Sequence, residues 1–245
     1  MRCRSGAFLP TALALAFAFG TNALPAAAAQ DPQAIAKIAA LDARAPLPER
    51  ALISQEILRS AVKFAAKRKW CMPTKVEIES TSPMTGVRNI IDGILANQIR
   101  NGWVVYVQQS GCAAQAELFR YGVVQRVDGG LVAFPINRGR TIASLSLVQD
   151  TGPPAGVAAL RAIHAQDRPG KKCNDSDIDM VSMRVVSTSK DLGPDVFGVR
   201  YVGSWREMWR FVACAKHIDV PVDFTADGDG GADIHVDQRE IAIVP

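Results

Sequence analysis

The sequence predicts an α+β protein of two pseudo-repeated units, in which each unit is a helix packed on a small antiparallel β-sheet (a meander) and stapled by a disulfide bond. The first observation behind this prediction is the spacing of four cysteines. They form two pairs, Cys71 with Cys112 and Cys173 with Cys214, and the members of each pair are 41 positions apart. The second is a helical pattern ahead of each pair. The third is a series of alternating apolar segments after each first cysteine, which is typical of half-buried strands.

The N-terminal segment 1–29 has the features of a secretory signal peptide. Arg2 and Arg4 give it a basic start, residues 8–20 are an apolar run too short to span a bilayer comfortably, and small residues end it. This pattern predicts that the segment is removed and that the mature chain lies in the periplasm or outside the cell, with no transmembrane segment. Residues 30–50 follow as an N-terminal amphipathic segment and a proline-containing linker.

The charge of the mature chain is nearly balanced. The full chain has 28 Lys and Arg against 24 Asp and Glu, and the leader takes Arg2 and Arg4 with it, which leaves about +2. A charge this small gives little reason to expect nucleic acid or an anionic membrane surface as a partner. The dense basic stretch KFAAKRKW at 63–70 is interpreted as a solvated helix end, with an anion-binding patch as the alternative.

Loss of Cys3 with the leader leaves an even number of cysteines, as expected for disulfide bonds in an oxidising compartment. If the halves are copies, the economical connectivity is Cys71–Cys112 and Cys173–Cys214. Each bond would then stabilise the fold by about 3–4 kcal/mol by constraining the unfolded chain. Pairing between the halves and free thiols are the alternatives. No pair has the close spacing of a zinc site, and no cofactor is expected.

The first unit is assigned to residues 51–150 and the second to residues 151–245. In the first, the predicted elements are a helix at 53–67 and strands at 103–108, 115–127 and 130–136. In the second, they are a helix at 154–166 and strands at 177–189, 197–214, 216–224 and 232–244. The pattern at 87–100 fits a strand or a short helix. Trp103 and Trp205, each nine positions before the second cysteine of a pair, also support duplication.

The stretch SWREMWRFVAC at 204–214 raises the question of a site. On a strand, Trp205, Glu207 and Trp209 point to one face. The tryptophans predict a core layer, so Glu207 is expected to meet an arginine, a backbone donor or the sheet edge, because an unpaired buried carboxylate is unfavourable. A catalytic carboxylate is the alternative, although Val105 occupies the matching position in the first half.

A second group of polar residues shares one face of the strand at 216–224. It consists of His217, Asp219 and Asp223, and a histidine near a carboxylate can act as an acid–base pair. A solvent-facing strand shows the same alternation, and no G-x-S-x-G motif accompanies the group, so we interpret it as an outer face. The alternative function is an envelope enzyme with a site around Glu207, His217 and Asp219.

The loop at 225–237 resembles a calcium loop in the spacing of Asp227, Asp229 and Asp233. However, Val236 stands where a calcium loop needs a bidentate glutamate, and the flanking segments read as strands. We therefore interpret the loop as a hairpin turn, with a Ca²⁺-dependent surface module as a further alternative function.

Three stretches carry a family resemblance: NRGRTIASLSLVQD at 137–150, GVRYVGSWREMWRFVAC at 198–214 and VPVDFTADGDGGA at 220–232. They resemble small exported proteins of uncharacterised function in Gram-negative bacteria, although Ala215 stands where those proteins have glycine. The resemblance implies a signal-bearing disulfide protein and no particular activity. The sequence therefore predicts a binding or structural role at the envelope or outside the cell, toward an unknown protein or small-molecule ligand, rather than catalysis.

Overall fold

The computed structural model describes residues 31–112, 116–166 and 178–244. The predicted signal peptide at 1–29 and Cys173 lie outside these ranges. Within them the chain is α+β, as predicted, with helices packed on two antiparallel sheets. The helices are α1 (Pro32–Asp42), α2 (Arg50–Arg68), α3 (Arg88–Leu95) and α4 (Leu145–His164).

The first sheet has the order β1-β2-β3-β4, so each strand pairs with its neighbour in the chain. Its strands are β1 (Lys75–Pro83), β2 (Ile99–Ser110), β3 (Glu117–Arg126) and β4 (Leu131–Arg138). The second sheet has the order β5-β6-β7-β8, and β9 also pairs with β7. Its strands are β5 (Ile178–Thr188), β6 (Ser204–Ala213), β7 (Lys216–Ala226), β8 (Ala232–Val236) and β9 (Ala242–Val244).

Helix α2 covers one face of the first sheet. Ile53, Ile57 and Ala61 are spaced four residues apart, so they lie on one side of the helix and are buried against the sheet. Trp103 and Val105 of β2 meet them from the sheet side. The opposite face of β2, which includes Val104, packs against α3 and the segment 196–201.

The second sheet buries the aromatic face of β6 against α4. The strand alternates strictly between buried and half-buried residues, and its buried positions are Trp205, Glu207, Trp209, Phe211 and Ala213. Strand β7 contributes Phe224, whose ring stacks on Trp205 with centroids 5.0 Å apart. The predicted aromatic core layer is therefore confirmed.

Helix α4 begins earlier than the sequence predicts. Its first residue is Leu145, Ser144 Oγ accepts a hydrogen bond from the N–H of Leu147 (3.2 Å), and Pro153 and Pro154 lie inside the helix. The predicted start at the proline pair is wrong, and the predicted boundary between units at 150 falls within α4. Buried apolar residues line α4 on both sides of the prolines, so packing and the serine cap outweigh the hydrogen bonds that proline removes.

Three other segments refine the predicted elements. Residues 88–95 of the ambiguous segment are helical and form α3. The predicted strand at 197–214 is shorter, because Phe197, Gly198 and Gly203 have φ values of 52°, 92° and 94°, which break an extended chain. The predicted strand at 232–244 is divided into β8 and β9.

The two sheets meet where β4 ends. Gly139 forms an isolated parallel bridge with Met183 of β5. Gly139 has a φ of 76°, and a Cβ atom there would lie 2.1 Å from the carbonyl oxygen of Met183, so only glycine fits this junction.

The predicted Cys71–Cys112 disulfide is present, with Cα atoms 5.6 Å apart. Cys214 is also disulfide-bonded, and its partner lies outside the described residues. Its pairing with Cys173 therefore stays a prediction. In the described part of the chain, no helix combines the length and apolar character that crossing a membrane requires.

Candidate functional site

Glu207 lies fully buried where the connection between β4 and α4 contacts β6. Its Oε1 atom accepts hydrogen bonds from the backbone N–H groups of Ile142 (2.7 Å) and Ala143 (3.2 Å). The hydroxyl of Thr141 lies 2.8 and 2.7 Å from the two carboxylate oxygens. The carboxylate therefore holds this connection against the second sheet.

Two tryptophans complete the hydrogen bonds of the same carboxylate. The indole N–H of Trp205 donates to Oε1 (3.1 Å), and that of Trp209 donates to Oε2 (2.9 Å). Glu207 thus meets backbone donors, one of the partners expected for it, and five donor groups offset its burial. Because its side chain has no exposed surface, a substrate cannot reach it, and we interpret Glu207 as a structural residue.

A buried arginine extends this network into the first sheet. Arg120 of β3 is 5% exposed, and its Nη1 donates to the carbonyl oxygen of Ala143 (2.8 Å). Burial lowers the pKa of the Arg120 guanidinium, and the nearby charge of Glu207 opposes that shift. Strand β3 is therefore linked to β6 through Ala143.

The acidic residues of β7 are paired with arginines of β6. Arg210 donates from Nε and Nη2 to the two oxygens of Asp219, at 2.6 and 2.7 Å. Arg206 makes the equivalent pair with Asp223, also at 2.6 and 2.7 Å. His217 is exposed on the same strand. The three residues share one face of β7, on which His217 is exposed, Asp219 is buried and both aspartates are paired with arginine.

We expect Asp219→Asn to lower the free energy of unfolding by about 1 kcal/mol at neutral pH, because it breaks a bidentate pair that solvent partly screens. The hydrogen bonds from Arg210 lower the pKa of Asp219 in the folded state. The stabilisation is therefore present above the unfolded value of about 3.9 and is lost as the pH falls through the lower folded value. Urea unfolding of both proteins from about pH 7 to pH 2 tests this. A difference that stays constant over that range would contradict it.

The loop at 225–237, interpreted from the sequence as a hairpin turn with calcium binding as the alternative, is closed by the side chain of Asp227. Asp227 Oδ1 accepts hydrogen bonds from the N–H groups of Asp229 (2.8 Å) and Gly231 (3.0 Å), as in a tight turn. Asp229 and Asp233 are exposed. Across residues 31–112, 116–166 and 178–244, no three His, Cys, Asp or Glu side chains are grouped to hold a metal ion.

A pocket that the sequence does not predict opens beside the Cys71–Cys112 bond. It has a volume of about 240 Å³ and lies between the C-terminal half of α2 and the ends of β2, β3 and β4. We call it the disulfide pocket. Its aromatic walls are Phe64, Trp70 and Phe119.

The end of α2 places Trp70 in this wall. Lys69 ends the helix in the left-handed conformation (φ 57°), which lets the N–H of Trp70 reach the carbonyl oxygen of Ala65 (2.9 Å). The Trp70 ring then meets Phe64 edge-on, with centroids 5.8 Å apart. Although it packs on Phe64, Trp70 stays 39% exposed and available to a ligand.

Two arginines lie over the aromatic walls. The guanidinium of Arg68 is 4.9 Å from the ring centroid of Phe64 and 5.1 Å from that of Trp70. The guanidinium of Arg138 is 5.1 Å from Trp70 and 4.9 Å from Phe119. Such contacts attract a cation to a ring face, so the rim of the pocket carries oriented positive charge.

A buried phenol supplies a polar group within the pocket. Tyr121 is 1% exposed, and its hydroxyl accepts a hydrogen bond from Gln109 Nε2 (2.7 Å). Burial raises the pKa of Tyr121 to about 12, so the phenol is neutral at physiological pH. A hydroxyl that accepts one hydrogen bond still has its own proton to donate.

One signal in the sequence pointed toward this pocket. The basic stretch at 63–70 contains both Phe64 and Trp70, and aromatic residues interleaved with basic ones mark a surface suited to a ligand as well as a helix end. The other walls come from β3 and β4 and are distant in sequence. Comparison of the chain with protein-family models, curated proteins and solved structures finds no match.

Proposed function

We propose that this chain is an exported protein of the periplasm or the extracellular space that binds a small molecule in the disulfide pocket. The observation that carries the proposal is one concave site of about 240 Å³ that combines three aromatic walls with a neutral buried phenol. Apolar walls with a few convergent polar groups are typical of small-molecule sites.

The export part of the proposal is supported by covalent chemistry. Disulfide bonds persist in oxidising compartments, and both Cys71 and Cys214 are disulfide-bonded. The predicted signal peptide at 1–29 agrees with that environment.

We also propose that the two halves are copies of one unit. Each sheet follows a helix and runs as a meander of neighbouring strands. Trp103 and Trp205 lie on the second strand of their sheets and face the covering helix.

A binding role fits the structure better than catalysis, because the carboxylates of Glu207 and Asp219 are engaged by the protein itself.

The disulfide bond prepares the pocket before a ligand arrives. It ties the end of α2 to the end of β2, and both ends line the pocket. A preformed site loses less conformational entropy on binding, so a small ligand gains affinity from it.

We expect the neutral aromatic probe phenylacetamide to bind with a Kd on the order of 1 mM, as suits a ligand of its size. In two-dimensional NMR titrations, the indole signal of Trp70 and the amides of α2 and β3 should shift, whereas the buried indoles of Trp205 and Trp209 should not.

Trp70→Ala removes one wall and should abolish the shifts in α2 and β3. Leu95→Ala removes an exposed apolar side chain, 71% accessible, at the end of α3 and serves as the matched control with unchanged binding. Shifts that persist in Trp70→Ala, or no shift in the wild type, would disprove the proposed site.

A further inference from the structure

The charges on the rim of the disulfide pocket narrow the chemistry of its ligand, an inference that rests on the proposed function. We propose that the pocket takes an aromatic carboxylic acid, whose ring lies among Phe64, Trp70 and Phe119 and whose carboxylate binds Arg138. Size, hydrogen-bonding capacity and surrounding charge each support this.

The size of the pocket fits one aromatic ring with a short substituent. A dry apolar cavity of about 150 Å³ is enough to hold benzene. The disulfide pocket, at about 240 Å³, exceeds that volume by the space a short acidic side chain needs. Three aromatic walls offer a planar ligand the stacked or edge-on contacts that aromatic groups favour.

Arg138 has hydrogen-bonding capacity to spare. Among the described residues, its carboxylate partner is Glu117, and the closest nitrogen–oxygen distance is 3.6 Å, longer than a hydrogen bond. Arg206 and Arg210, by contrast, each have two oxygens of an aspartate within 2.7 Å. A guanidinium has five N–H donors, so Arg138 can receive a ligand carboxylate bidentately.

Glu117 is the one acidic residue that lines the pocket among the described residues, and it is poorly placed to exclude an anion. Its side chain is 49% exposed, so water screens its charge and it can turn away. The ring contacts with Trp70 and Phe119 hold the Arg138 guanidinium in place. A ligand carboxylate therefore competes only with the weakly held Glu117 for the guanidinium of Arg138, which the rings keep in position.

The surroundings of the rim are basic. Lys67, Arg68 and Lys69 are consecutive and exposed at the end of α2, next to Trp70. Asp179 of β5 neutralises Arg68 through a contact of 2.8 Å and leaves the two lysines. Tyr121 adds no negative charge, since its phenol stays protonated. The field at the mouth therefore attracts an anion.

The test compares phenylacetate with phenylacetamide, which has the same shape and no charge. We expect phenylacetate to bind the wild type about tenfold more tightly at low salt, and the ratio to shrink at high salt. Equal affinities would overturn the inference while leaving the proposed function in place. If neither probe binds, both fail.

Three variants test whether Arg138 and Glu117 determine the preference for phenylacetate over phenylacetamide. Arg138→Gln should reduce the ratio of the two affinities to about one, because its amide lacks the charge, whereas Arg138→Lys should retain part of it. Glu117→Gln removes the competing carboxylate and should strengthen phenylacetate binding by about two- to threefold. Arg126→Gln, an exposed position outside the pocket lining, is the matched control with an unchanged ratio. A preference that survives Arg138→Gln would overturn the inference.

Discussion

Glu207→Ala is expected to lower the free energy of unfolding by about 3–5 kcal/mol, one of the two largest losses of stability expected for this fold. The change removes the acceptor for five donor groups: the hydroxyl of Thr141, the backbone N–H groups of Ile142 and Ala143, and the indoles of Trp205 and Trp209. Except for the N–H of Ala143, which also donates to Thr141 Oγ1 (3.0 Å), these donors would then lack a partner unless water enters.

Urea unfolding followed by circular dichroism measures this loss. Glu207→Gln keeps the shape but turns an amide NH₂ toward groups that donate, so a loss of about 2 kcal/mol or more is expected for it as well. Glu240→Ala removes an exposed carboxylate from the same half and should change stability by about 0.5 kcal/mol at most. If Glu207→Ala behaved like Glu240→Ala, the carboxylate would not hold the two sheets together.

The second large effect is expected from the disulfide bond. The variant carrying Cys71→Ser and Cys112→Ser should be less stable by about 3–4 kcal/mol, because the bond closes a loop between residues 41 positions apart and so restricts the unfolded chain. Substitution is preferable to a reducing agent, which would also act on the bond of Cys214.

The double serine variant should also bind phenylacetamide more weakly, because the end of α2 is no longer tied to β2. Measuring affinity well below the urea midpoint of the variant separates this effect from global unfolding. An unchanged midpoint would show that the bond does not stabilise the fold, and unchanged affinity would show that it does not prepare the pocket.

The parts of the fold that the sequence predicts are those in which one face of an element is buried. Strand β6 alternates because α4 covers one side of it, and the same pattern is visible in the residues from Trp205 to Ala213. The Cys71–Cys112 bond was predictable because the paired spacing in the two halves favours one connectivity. In both cases the information is local or repeats in the sequence.

Features that depend on distant packing were not predictable in the same way. The proline pair at 153–154 signals a helix start, but burial on both sides of it extends α4 back to Leu145. Alternation continues upstream of Ser204, yet positive φ values at Phe197 and Gly198 divert the chain. Local patterns do not contain the contacts that decide these cases.

The candidate site shows the same division. The sequence places the Glu207 carboxylate on an aromatic face and so predicts that it needs donors, but no pattern points to Thr141, which lies 66 positions earlier. The disulfide pocket combines α2 with β3 and β4, which meet only in the folded chain. The aromatic and basic residues at 63–70 are the part of this pocket that the local sequence shows.

The bonds of Glu207 also bear on the order in which the chain can fold. The first sheet pairs only strands adjacent in sequence, so its closures are short and all of its partners precede residue 139. The segment 141–143 differs, because its acceptor comes from β6. During synthesis from the N-terminus, the strands of the first sheet can therefore pair early, while the segment 141–143 gains its acceptor only after Glu207, more than sixty positions later in the chain, has been made.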